Sequence, residues 1–497
     1  MTSLFLNIQA KLRSFTRFVL LLLLFLNACV QQPVTPLPDP GQNPEPQKEV
    51  IPIIDGYTEK LSYTKDETLA LFLNAEKTSD NAIIHLYDIQ GNIIDSVPYQ
   101  AKPQIPIGDS PWSNGFEYEP SLEYDLTKLN SGLYLWANKI PFVLKDLNNQ
   151  APIRVLWPSN TINAYICSGG KNLYSCGIAD KSERPNKLSF QRPLMIRSEY
   201  YRESTPILTD WQGHGLPFLR WLESNKTQLG TNYSVITDAD LDDLNSLSGS
   251  KLLIIAGHSE YWTREARLNL DAFIENGGNV AILSGNTSWW QVRYSEDKTQ
   301  MIGYKSSVLD PIADPLLKTD LWRTPGLNYP ILNSFGADFE LGGYGNTAVL
   351  ETMPEEVPEG WNGYKIVNPA SPLLENTGLV MNDIIHFDFD RFHEYDGSPI
   401  LGVDDNGHPV LDKQSLGFHQ LELIGFDHGY RNGPTVGTFI AFQKTEGSGI
   451  VINTATNIWT RALEGSSQAF VIQQITFNII NKLLQEKPIF VEAETKP

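Results

Sequence analysis

Residues 251–283 read KLLIIAGHSEYWTREARLNLDAFIENGGNVAIL, and their patterning decides how the flanking chain folds. Lys251 to Ala256 (KLLIIA) is a short, nearly unbroken apolar run, the mark of a strand buried on both faces. From Thr263 to Glu275 apolar residues return at helical spacing, and Gly277-Gly278 closes the helix. Asn279 to Leu283 (NVAIL) is the next buried strand. Strand, helix and strand in succession predict parallel pairing, because the helix carries the chain back to start the next strand in the same direction.

Similar signals flank this unit. Ile153 to Trp157 (IRVLW) and Tyr233 to Ile236 read as strands, and Leu216 to Leu222 opens a helix. Gly449 to Thr454 (GIVINT) gives a last buried strand, followed by an amphipathic helix from Gln468 to Leu484. The expectation is an α/β fold: a doubly wound, mostly parallel sheet over residues 149–487, with a tail at 488–497. Residues 295–433 are rich in Gly, Pro, Asp and aromatics without helical period, so they read as a β-rich insertion or lid. Ahead of this domain, LALFLNA, AIIHLYDI and GLYLWANKI are alternating runs separated by turn residues, which predicts a small Ig-like β-sandwich over 53–148.

The N-terminus reads as export machinery. Lys11, Arg13 and Arg17 precede the apolar run Phe18 to Phe25, too short to span a bilayer but suited to a signal-peptide core at 1–28. It ends in Leu26-Asn27-Ala28-Cys29, which resembles a bacterial lipobox, so Cys29 is the expected lipidation site. Residues 29–52, with QQPVTPLPDPGQNPEPQKE at 31–49, form a proline-dense tether. The expected location is therefore the cell envelope, held to the lipid bilayer by acyl chains. Val30 stands where an aspartate would retain a lipoprotein at the inner membrane, which favours the outer membrane in a two-membrane cell. A net charge of −20 argues against nucleic acid and anionic headgroups as partners, since both are bound through clustered Lys and Arg. Cys167 and Cys176 read equally as a disulfide or as two buried thiols, and oligomerisation stays open.

In parallel sheets ligands bind beyond the carboxyl ends of the strands. That geometry selects Asn160 to Tyr165, Gly257 to Trp262, and Ser284 to Asn286. His258, Glu260 and Tyr261 are the densest titratable group, at a strand-to-helix turn. Alternation in His386-Phe387-Asp388-Phe389-Asp390 would place the histidine and both aspartates on one strand face, as a metal site requires. The sequence contains no GxSxG, P-loop, CxxC, HExxH or EF-hand motif.

Several longer stretches resemble the large-subunit family of N,N-dimethylformamidase, chiefly its C-terminal domain. They are NTINAYICSGGKNLY at 160–174, LPFLRWLE at 216–223, TDADLD at 237–242, GHSEYW at 257–262 and ENGGNVAILSGNTSWWQVR at 275–293. SGLYLW at 131–136 resembles the strand-rich module that precedes this domain in relatives. The resemblance implies a mononuclear iron held by two tyrosinates and a glutamate, hydrolysing a C–N amide bond of a small-molecule or peptide substrate. Tyr261 matches the tyrosine of the family's HxEYW motif and is the implied ligand. Where relatives read Tyr-Asp-Leu-Pro this chain has His214-Gly215-Leu216-Pro217, so His214 stands at the second ligand position. Asp388 falls at the carboxylate position, with Glu394 as the competing assignment.

On that reading His258, Glu260 and His386 are the catalytic candidates, with His258 or Glu260 moving a proton to the leaving amine. Asn163, Tyr165, Asn286 and Trp290 are the candidate substrate contacts. A phenol costs about 4 kcal/mol to ionise at neutral pH, so a phenolate there needs an adjacent cation. The rival expectation is a non-catalytic surface protein binding glycan or peptide in a groove lined by Trp262, Trp289, Trp290 and Tyr165.

Overall fold

The computed structural model describes residues 48–145, 151–174, 176, 180–194, 215–345, 358–388 and 394–490. The signal sequence, Cys29 and most of the tether lie outside these residues, as do His214, Phe389 and Asp390. Among the described residues no helix is long and apolar enough to cross a membrane.

The strand Leu252–Gly257 lies in the parallel part of an 11-stranded sheet. On one side it pairs in parallel with Ile153–Trp157, which in turn pairs with Tyr233–Thr237. On the other it pairs with Asn279–Ser284, which pairs with Ile450–Asn453. Alternate side chains serve opposite layers. Leu253 and Ile255 pack with Leu270 and Ile274 of the helix Arg264–Glu275. Leu252, Ile254 and Ala256 pack with the helices Leu216–Leu229 and Ala469–Leu484. Full burial of each such aliphatic side chain contributes about 1.5–3 kcal/mol, which makes this segment a strong determinant of the core.

Thr263 caps the helix Arg264–Glu275 by accepting the Ala266 N–H at 3.0 Å, and Gly277 at φ +90° ends it. Gly278 is constrained by space, since a Cβ there would lie 2.4 Å from the Phe273 ring.

Beyond Ile450–Asn453 the sheet changes direction. The hairpin Gln420–Tyr430 and Pro434–Gln443 joins it antiparallel, and Gly343–Gly345, Glu394–Gly397, Gly363–Ile366 and Ile384–His386 extend it further. The doubly wound α/β expectation is thereby overturned. The protein is mostly β, 34% strand against 23% helix, with several mixed sheets. The cause is the 295–433 stretch: its strands satisfy their backbone groups on the edge of the central sheet, so no further parallel crossovers follow.

Residues 49–144 contribute two sheets, of six and three strands, closing over one core that includes Leu71, Leu86, Trp136 and Phe142. The Ig-like expectation is also corrected. Glu49–Val50 pairs in parallel with Ser79–Tyr87, and Ser62–Tyr63 in parallel with Ile140–Leu144, which an all-antiparallel sandwich would not contain.

Candidate functional site

Gly257 adopts φ +91° at the end of its strand and turns the chain into His258-Ser259-Glu260. Three bonds fix this turn. Ser288 N–H donates to the Ser259 carbonyl at 2.7 Å, Trp290 N–H to the Glu260 carbonyl at 2.9 Å, and the Glu260 N–H donates to the Thr161 hydroxyl at 2.8 Å. Tyr261–Thr263 then pairs in parallel with Trp290–Tyr294. The result aims two titratable side chains, each 3% exposed, into the interior.

The Glu260 carboxylate is the hub. Tyr165 donates its hydroxyl to Oε2 at 2.7 Å, Tyr174 donates to both oxygens at 2.8 Å, and Tyr261 donates to the Tyr174 hydroxyl at 2.5 Å. The rings of Tyr165 and Tyr174 stack at 4.1 Å. On the opposite side His258 Nε2 lies 2.9 Å from Glu394 Oε2 and 3.9 Å from Glu260 Oε2. Asn457 steadies Glu394, accepting its N–H at 3.1 Å and donating to Oε2 at 3.3 Å. Lys305 lies over Tyr174 at 3.7 Å, Trp290 at 4.8 Å and Tyr261 at 5.1 Å.

Burial raises the Glu260 pKa, while Lys305 and His258 oppose that rise and Glu394 adds to it. Burial likewise holds Tyr165, Tyr174 and Tyr261 well above the ordinary phenol value, reinforced by the charge of Glu260. The three are therefore neutral hydrogen-bond donors. Lys305 is pushed down to about 7, by burial first.

The structure brings together His258, Glu260, Tyr261, Tyr165 and Trp290 with Glu394, the competing carboxylate assignment. It separates others. His386 and Asp388 are exposed; Asp388 accepts the Ser467 N–H at 2.6 Å, and His386 Nδ1 lies 3.2 Å from the Trp361 carbonyl. The expected strand ends at His386; Phe387 is buried, and His386 and Asp388 on either side of it both face solvent rather than the Glu260 cluster. Asn163 is committed to Arg192, whose guanidinium donates to its Oδ1 at 2.7 Å and its carbonyl at 2.6 Å. Asn286, at φ +53° and 3% exposed, keeps a buried Oδ1 with no partner among the described residues. Trp262 and Trp289 are buried, and the Trp262 Nε1–H is spent on Ser259, so they line no open groove. Two clefts of about 590 Å³ open elsewhere on the surface.

Tyr174 and Lys305 carried no signal of their own in the sequence. Tyr174 could have been suspected from its place at the end of the family-like stretch 160–174 and two residues before Cys176, which is disulfide-bonded to Cys167. Among the described residues no group of three His, Cys, Asp or Glu could hold a metal.

Residues 96–471 match the family described as N,N-dimethylformamidase beta subunit-like, C-terminal, and the chain belongs to that family. It is also 20% identical over 329 residues to the N,N-dimethylformamidase beta subunit of an Alcaligenes species. That alignment covers 60% of this chain and 40% of the relative, so the chain spans well under half of the relative's length.

Proposed function

We propose that this chain is an amidohydrolase cleaving a C–N amide bond at the Glu260 centre, tethered to the cell envelope through lipid on Cys29. The observation that carries the proposal is the convergence of the Tyr165 and Tyr174 hydroxyls on one carboxylate beside the His258–Glu394 pair. Family membership supports the reaction class, and the Cys167–Cys176 disulfide supports export to an oxidising compartment.

The donor set fits the iron implied by the family. One carboxylate and two phenols, already within hydrogen-bonding distance of each other, are hard oxygen ligands that suit a trivalent cation. Glu260, Tyr165 and Tyr174 would hold the ion, in place of the Tyr261, His214 and Asp388 set expected from sequence. Bound there, the ion would supply Lewis acidity toward an amide carbonyl.

The protein's own groups account for the remaining needs. His258 Nε2 faces Glu394 Oε2 at 2.9 Å, a carboxylate that orients the ring and favours its cationic form, so the imidazole can protonate a departing amine. The free carboxamide oxygen of Asn286 accepts a hydrogen bond from a polar substrate group. Burial of His258, Glu260, Tyr261 and Glu394 keeps bulk water from these groups, which strengthens the interactions among them.

The test is metal analysis of the purified chain together with hydrolysis of a panel of small amides. Stoichiometric iron, lost in Glu260→Gln and reduced in Tyr174→Phe, with amine release abolished by His258→Asn, is the expected result. A well-folded chain that stays metal-free after iron loading and releases no amine would end the proposal.

A further inference from the structure

Tyr174 has no regular secondary structure to hold it, yet its hydroxyl contacts both Glu260 oxygens and the Tyr261 hydroxyl. The chain leaves the helix Ser159–Tyr165, turns through Gly169 at φ +80° and Gly170 at φ +99°, and comes back against the helix where the Leu173 N–H donates to the Ala164 carbonyl at 3.0 Å. Asn172 fixes the approach: its Nδ2 donates to the Tyr165 carbonyl at 2.6 Å, and its Oδ1 accepts the N–H groups of Tyr174 at 2.9 Å and Cys176 at 3.1 Å. Beyond Tyr174 the covalent tie is the bond from Cys176 back to Cys167, with a Cα–Cα separation of 5.8 Å. Tyr174 thus sits inside a closed covalent ring whose other end follows directly from the helix carrying Tyr165 and Thr161.

Resting on the reading of Glu260 as the reactive centre, we propose that Cys167 and Cys176 are positioning residues for it: their bond holds the Tyr174 hydroxyl on the Glu260 carboxylate. Cys167, Ser168, Asn172 and Leu173 are buried, but Gly169, Gly170 and Lys171 at the outer edge reach solvent, and irregular turns open locally there at lower cost than the sheets around them. Closing the ring removes most of the open states available to Tyr174, while the body of the protein, held by its own core, does not depend on it. The phenol then stays in place through the fluctuations that substrate entry and product release demand.

The proposal separates from a general stabilising role by where protection is lost. In the full chain, the Cys167→Ser/Cys176→Ser double variant is treated with tetranitromethane, and nitration is followed by peptide mass spectrometry at Tyr174, Tyr261 and the fully buried Tyr63 of the N-terminal sandwich. Nitration of Tyr174 is expected to rise about tenfold while Tyr63 and Tyr261 stay protected. The Leu71→Ala variant, which opens the sandwich core instead, is expected to leave Tyr174 at its parental rate. Unchanged nitration of Tyr174 in the double variant overturns the proposal, as does a parallel rise at all three tyrosines or an equal rise in Leu71→Ala. Nitration does not depend on the reaction catalysed: selective exposure of Tyr174 in a chain that hydrolyses no amide sustains the positioning role while ending the amidohydrolase proposal.

Discussion

Asp238 offers a quantitative handle on the scaffold that carries Tyr165. It follows the strand Tyr233–Thr237, is 3% exposed, and accepts the Asn160 N–H at 2.8 Å and the Ser159 hydroxyl at 3.2 Å at the start of the helix Ser159–Tyr165. Burial pushes its carboxyl up to about 7; Asp242 and Asp240 add to the rise, and the two hydrogen bonds oppose it. A rise from 3.8 to about 7, at 1.36 kcal/mol per pH unit, makes the ionised form cost about 4 kcal/mol. The folded chain binds this proton more tightly than the unfolded chain. The stabilisation is therefore fully present below about pH 4 and is lost as pH rises through about 7. Asp238→Asn keeps an oxygen that can accept both bonds and removes the titration. The two hydrogen bonds are already counted in that rise, so the variant should be more stable than the parent by roughly 3–4 kcal/mol at pH 8. At pH 4.5 the gap should shrink to about 1 kcal/mol. Urea unfolding followed by tryptophan fluorescence at pH 4.5, 6 and 8 measures this directly. A difference that is constant across the three pH values, or a parent more stable at pH 8, refutes the reasoning.

Three further outcomes follow from the site and its supports. Gly285→Ala places a Cβ 2.3 Å from the Glu394 carbonyl oxygen and 2.6 Å from the Asn457 nitrogen, so it should cost about 1–3 kcal/mol in urea unfolding; an unchanged midpoint would show that the contact relaxes freely. Arg192 is fully buried and donates to Asn163, Ser189, Ile166 and Ser168, more acceptors than an ammonium can serve, so Arg192→Lys should lose about 2–4 kcal/mol in thermal or urea unfolding. His258→Asn should lower amine release from a cleaved amide by about 10²–10⁴-fold with the far-UV spectrum unchanged, whereas His386→Asn, on an exposed side chain, should leave turnover as it was.

Local grammar made much of this legible before any coordinates. The strand at Leu252–Gly257, the helix at Arg264–Glu275 and the polar turn between them follow from apolar runs and a threonine cap, and that turn carries His258 and Glu260. The assembled architecture did not follow, because Gln420–Tyr430 and Glu394–Gly397 have no period that says which sheet they will join. The carboxylate was left between two assignments for a related reason. Alternation says which residues share a face but not which way that face looks: His386 and Asp388 face solvent, and Glu394, the competing assignment, lies beside His258. Tyr174 was hidden because a loop aromatic has no pattern, and its position depends on a covalent bond that spacing alone left open.

The change of strand direction within the large sheet divides the site between two lengths of chain. Tyr165, Tyr174 and Glu260 all belong to the parallel half, which is completed only by Ile450–Asn453 and the helix Ala469–Leu484 from the far end of the sequence. Glu394 arrives from the antiparallel half. The two halves join where Ile450–Asn453 pairs with Asn279–Ser284 on one edge and with Pro434–Gln443 on the other. That seam keeps the Glu260 and Glu394 carboxylates on either side of one imidazole.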